Sequence, residues 1–124
     1  MDAQRHIEGL NQIVSEDVRA AYIHLLVEAE RSGLTTSSNS GHVFSVRMHD
    51  QSGRYLFSYI ANQHHLLFYL RLPALQMSPE LPSSAERQGF KIARNPAGEA
   101  TIRLESLENA RDLAEWLFAQ VPLS

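Results

Sequence analysis

Apolar residues fall at every third or fourth position near the start of this chain, and at every second position through its middle. Between Arg5 and Val14 they occupy Ile7, Leu10, Ile13 and Val14, which predicts a short amphipathic helix. Ser15 followed by Glu16 and Asp17 predicts a second helix start, a hydroxyl cap with acids at the positive end of the dipole. That helix runs to about Arg31, with Val18, Ala21, Tyr22, Leu25, Leu26 and Ala29 on one face and Gly33 as its stop. The stretch TTSSNSG that follows reads as a polar connector.

From His42 the period is two. HVFSVRMH, RYLFSYIA and HHLLFYLRL read as three strands, separated by the turn DQSG and the two-residue loop NQ. Pairing His49 with Arg54 and Ala61 with His64 gathers Phe44, Val46, Met48, Tyr55, Phe57, Tyr59, Leu66, Phe68 and Leu70 on one face. The other face then holds Val43, Ser45, Arg47, His49, Arg54, Leu56, Ser58, Ile60, His65, Leu67, Tyr69 and Arg71. One face is apolar and the other mixed, as a sheet wet on one side requires.

Pro73 cannot donate to a ladder, so the third strand ends there and residues 73–88 read as a long loop. FKIARNPAGEATIRLES reads as a hairpin, with Pro96 and Gly98 at the second and fourth positions of a type I turn. Ser106 caps a closing helix over 106–120, with Leu107, Ala110, Leu113, Ala114, Leu117 and Val121 inward. The expected fold is α+β, ordered ααβββ-loop-ββα, with helices packed on one face of a five-stranded antiparallel sheet. Its 124 residues make one domain, comprising a helical N-terminal segment over residues 1–33, a sheet over 42–104 and the closing helix.

Composition narrows the function classes. An apolar fraction of 44% and a charged fraction of 20% belong to a globular chain. Cysteine is absent, which excludes thiolate nucleophiles, disulfides and Cys-ligated zinc and points to a cytoplasmic protein. No apolar run approaches the roughly 20 residues of a membrane span, and the N-terminal stretch lacks a signal-peptide pattern. The net charge of −3 is uneven: residues 42–104 carry seven Arg/Lys against four acids, while the flanks carry four Arg against ten acids. Acid-rich helices account for this, and so does an anionic partner docking on the sheet.

Catalytic motifs do not emerge. There is no GxSxG elbow, phosphate loop or HExxH, and no catalytic residue is assigned. In the expected register His42 and His64 stand about 9–10 Å apart across the second strand, too far to share a metal, so neither a metal site nor a cofactor is expected. What remains is the mixed sheet face, where Arg47, His49, Arg54, Tyr69 and Arg71 form a candidate binding patch. Arginine forks beside aromatic rings suit a protein hot spot and also suit phosphate contacts with stacking.

The run YLFSYIANQHHLLFYLRLP, followed by a loop, a hairpin and an amphipathic helix near Trp116, resembles small bacterial α+β domains of the YdhG and YjbR kind. That resemblance implies an accessory or binding domain without established catalysis, and carries over no functional residue. The function expected is a small soluble binding or adaptor domain acting through its sheet face and the 73–88 loop. A protein partner or a homodimer is favoured, and no membrane is involved. The alternatives are a nucleic-acid-associated module using the Arg/Tyr patch and a small hydrolase.

Overall fold

The computed structural model of the chain describes residues 3–38 and 41–123. It is α+β, with a wholly antiparallel sheet. Helices α1 (Ala3–Asn11) and α2 (Glu16–Arg31) precede strands β1 (Thr35–Ser38), β2 (Ser45–His49), β3 (Tyr55–Ala61) and β4 (Leu66–Leu70). Helices α3 (Leu72–Met77) and α4 (Leu81–Arg87) lead to β5 (Ala93–Arg94), β6 (Ala100–Leu104) and α5 (Leu107–Phe118). The sheet has six strands in the order β1-β2-β3-β4-β6-β5, one more than the alternation predicts.

The extra strand is β1, placed where a connector is expected. Thr35–Ser38 pairs with β2 along Thr36↔Met48 and Ser38↔Val46. The inward Thr36 is satisfied by donating its hydroxyl to Glu30 Oε2 at 2.6 Å, so this edge strand needs no apolar residue and leaves no hydrophobic trace. Residues 39–40 of that connector lie outside the described residues.

The expected 73–88 loop is mostly helical. Pro73 and Pro82 occupy the first turns of α3 and α4, where a missing N–H costs nothing. Ala74, Leu81 and Ala85 are buried in the core. Prolines that read as loop formers are helix starters here.

The helix ends of α2 form as its sequence dictates. Ser15 Oγ accepts from the Val18 N–H at 3.3 Å. At the other end the N–H groups of Gly33 and Leu34 donate to Glu30 and Ala29 carbonyls, a Schellman closure that Gly33 permits at φ +89°. Asp17 Oδ2 accepts the Leu107 N–H at 2.8 Å, so the start of α2 also holds the start of α5.

In α1 the inward residues are His6, Gly9 and, just beyond the helix, Ile13; Ile7 and Val14 are exposed instead. A bare Gly9 lets Tyr22 approach, with the tyrosine oxygen 3.2 Å from where a Cβ would stand. The Tyr22 hydroxyl and His6 Nδ1 lie 2.8 Å apart as a hydrogen-bonded pair. Tyr59 donates its hydroxyl to the Tyr22 carbonyl at 2.8 Å, joining sheet to helix. Burial pushes the Tyr22 hydroxyl up to about 12, against the opposing pull of Arg5.

The register differs from the expected one by two residues in both hairpins. Met48 faces Phe57 and Ala61 faces Leu66. A two-residue slip preserves side-chain parity, so Val46, Met48, Phe57, Tyr59, Leu66, Phe68 and Leu70 still point into the core and are fully buried. Near the first turn a bulge interrupts the pairing, since His49 faces Tyr55 while Met48 faces Phe57. Leu56 is the extra residue and is fully buried, whereas Tyr55 leaves the core. Simple alternation assigns each to the opposite face.

Candidate functional site

Beyond the bulge, the outer face of the sheet is a lattice of three rows. The first runs Ser45–Ile60–Leu67–Arg103 and the second Arg47–Ser58–Tyr69–Thr101 across β2, β3, β4 and β6. The third lies past the paired residues. Tyr55, released by the bulge, meets Arg71, and the hairpin that joins β5 to β6 brings Asn95 and Glu99. These rows enclose an open basin of ≈ 340 Å³ lined by residues that include Arg47, Tyr55, Ser58, Ile60, Tyr69, Arg71, Asn95 and Glu99.

Arg71 is the fixed member. Its Nε donates to Glu99 Oε2 at 2.7 Å, and its guanidinium lies over the Tyr55 ring, 3.9 Å from the centroid. Glu99 is itself buried and held on both sides: Asn95 Nδ2 donates to Oε1 at 3.0 Å, and the Glu99 N–H donates to Asn95 Oδ1 at 2.9 Å. The turn from Asn95 to Gly98 therefore presents a carboxylate whose geometry is set before any ligand arrives.

Arg47 is the free member. Its guanidinium lies 5.5 Å from the same Tyr55 centroid, and it makes no hydrogen bond or ion pair among the described residues. One aromatic ring thus carries two cations, and only one of them has a carboxylate. His49 flanks this cluster, its ring 5.2 Å from that of Tyr55. Tyr69 keeps its proton more firmly than an ordinary tyrosine, through burial first and then the nearby Glu99 and Tyr55, so it faces the basin as a neutral hydroxyl.

Arg54 does not join this patch. Its Nε donates to Asp50 Oδ2 at 2.7 Å, and it lines a separate crevice with Ser32, Gly33, Val121 and Pro122. The first turn closes on an Asp50–Arg54 pair, which carries Arg54 away from His49 and Arg71. Of the five residues singled out, Arg47, Tyr69 and Arg71 line the basin, His49 borders it and Arg54 lies elsewhere. Sequence reasoning missed Tyr55, Asn95 and Glu99. Of the four acids in residues 42–104, the one that matters here is Glu99, which the NPAG turn folds back onto Arg71.

His64 stands in the β3–β4 turn, so the expected pairing of Ala61 with His64 does not form, and Ala61 faces Leu66 instead. Burial, followed by Arg103 and His64, lowers the proton affinity of His65 against the opposing effect of Glu105. No three His, Asp or Glu side chains among the described residues form a group able to hold a metal ion. No helix among them is long and apolar enough to cross a membrane. Comparisons with protein-family models, curated proteins and solved structures find no match to this chain.

Proposed function

We propose that this chain is a small binding domain whose outer sheet face takes an acidic segment of a partner protein. The observation that carries this reading is Arg47, a cation that shares one tyrosine ring with Arg71 and makes no ion pair among the described residues. Like charges brought together without compensation are relieved when a carboxylate sits between them. Ile60 and Leu67, half-buried in the next row, supply apolar contact beside the charged one. The exposed Leu72 at the start of α3 extends that contact at the Arg71 end.

A protein segment fits better than a nucleic acid. The basin offers one uncommitted cation, Arg47, beside an Arg71 already paired with Glu99, enough for a single carboxylate but short of a phosphate track. The test is a titration of 15N-labelled protein with three probes: a blocked peptide alternating Glu and Leu, its Gln-for-Glu twin, and a thymidine oligonucleotide. The acidic peptide is expected to shift the amides of Arg47, Ser58, Tyr69 and Thr101, with the shifts suppressed by salt and abolished in Arg47→Glu. Shifts at the same amides from the oligonucleotide alone would transfer the site to nucleic acid. Equal response to both peptides would remove the electrostatic basis of the reading, and no response to any probe would discard it.

A further inference from the structure

We propose that the protein associates with a second copy of itself along the outer stripe of α2, by antiparallel pairing about a two-fold axis. The inner face of α2 buries Val18, Ala21, Tyr22, Leu25 and Ala29. Its outer face leaves Ile23 48% and Val27 43% exposed, one helical turn apart. Among the described residues these are the only large, exposed apolar side chains in such a relation. With half-buried Ala20 and with Leu107 of α5 they line a shallow groove of ≈ 420 Å³ on the helix layer. This surface is remote from the basin, which lies on the other side of the sheet.

The stripe is complementary to its own reverse. Glu16, Ala20, Ile23, Val27 and Arg31 follow one another at steps of four, three, four and four residues, which keeps them on one side of the helix. The midpoint of α2 falls between Ile23 and His24. Turning a second helix about that midpoint sets Ala20 against Val27 and Glu16 against Arg31, with the two Ile23 side chains meeting near the axis. Small faces large, and acid faces base, twice over. A two-fold contact requires a self-complementary patch, and this stripe is one.

The charges at the two ends are available. Glu16 makes no ion pair among the described residues, and Arg31 is 72% exposed and held only by a surface pair to Glu28 at 3.3 Å. Each Glu16 sits at the N-terminus and each Arg31 at the C-terminus of its own helix, where its own dipole favours it, and antiparallel packing sets the two helix dipoles head to tail. A helix of 16 residues offers a contact about 24 Å long, at the small end of specific interfaces. The association is therefore expected to be weak.

Sedimentation equilibrium of the full chain over a micromolar to millimolar range reads the association directly. Ile23→Glu is expected to weaken it about tenfold or more, since it buries two charges at the axis. Glu16→Arg and Arg31→Glu should each weaken it, and the two together should restore it. The chain has no cysteine of its own, so Ile23→Cys gives a second, fold-independent readout. Under mild oxidation it should form a disulfide-linked dimer faster than the control Val43→Cys, a position equally exposed elsewhere on the surface. A monomer throughout the range overturns the proposal. A dimer that survives Ile23→Glu, with no preference for the Cys at position 23, overturns it equally, because the contact then lies elsewhere.

Discussion

Arg71 is held by three constraints at once: an ion pair to Glu99, a stack on Tyr55, and its place as N-cap of α3. Arg47, two strands away, has only a looser contact over that ring, 5.5 Å from its centroid. The two residues look alike in the sequence and differ entirely in what their removal does. Arg71→Ala leaves Glu99 buried with Asn95 as its remaining side-chain partner and is expected to cost about 1.5–3 kcal/mol in urea titrations. Arg47→Ala removes no structural bond and should stay within about 0.5 kcal/mol of wild type. Equal losses would make Arg47 a structural cation and would deprive the basin of its one uncommitted charge.

At the scale of the element, the first hairpin shows what hydrophobic alternation encodes and what it omits. Which side of each strand is buried was legible, because parity alone decides it, and Val46, Met48, Phe57 and Phe68 lie where alternation puts them. Register was not legible, since sliding a partner by two residues exchanges like for like. The bulge that moves Tyr55 into the basin is set by turn chemistry: Asp50 Oδ1 accepts the N–H groups of Ser52 and Arg54, both at 2.9 Å, and Gly53 takes φ +83°. Strand β1 escaped because its contacts are hydroxyls, and α3 and α4 escaped because proline marks a helix start as well as a break. The candidate site was half legible for the same reason, its cations being visible and its carboxylate brought in by a turn. Asp50 makes the turn's contribution measurable. Burial would raise its proton affinity, but the Arg54 and Ser52 N–H groups and the Arg54 guanidinium outweigh this and lower it. A carboxyl whose folded pKa lies below its unfolded value of about 4 stabilises the fold above that pH and loses the contribution as pH falls through the folded value. Wild type is therefore expected to be more stable than Asp50→Asn at neutral pH, with the gap narrowing as the pH is lowered below about 4. A gap independent of pH would show that geometry, and not charge, holds the turn.

For the whole molecule, the ties between layers decide how it opens. Tyr59 bonds the α2 backbone, Asp17 joins α2 to the start of α5, and the Val14 N–H donates to the Gln63 carbonyl in the β3–β4 turn at 2.8 Å. The first and last of these bonds reach β3 and the β3–β4 turn in the middle of the sheet, and the second locks the two long helices together. Strand β4 is paired on both sides, and its Leu66, Phe68 and Leu70 are fully buried against Ile102 and the helices. Strand β5 has two exposed residues paired on one side only, and β1 is a polar edge strand tied down by the Thr36–Glu30 hydrogen bond. Amide exchange measures the difference, because groups released only by global unfolding exchange far more slowly than those freed by local opening. The amides of Tyr59, Phe68 and Ile102 are expected to exchange together at the slowest rate, with those of α2 and α5 close behind. Those of β5 and β1 should exchange early and independently of one another. If the amides of β4 exchange as early as those of β5, the sheet and the helix layer do not share one core, and the basin on the outer face loses the rigid floor that keeps Arg47 and Arg71 on the same ring.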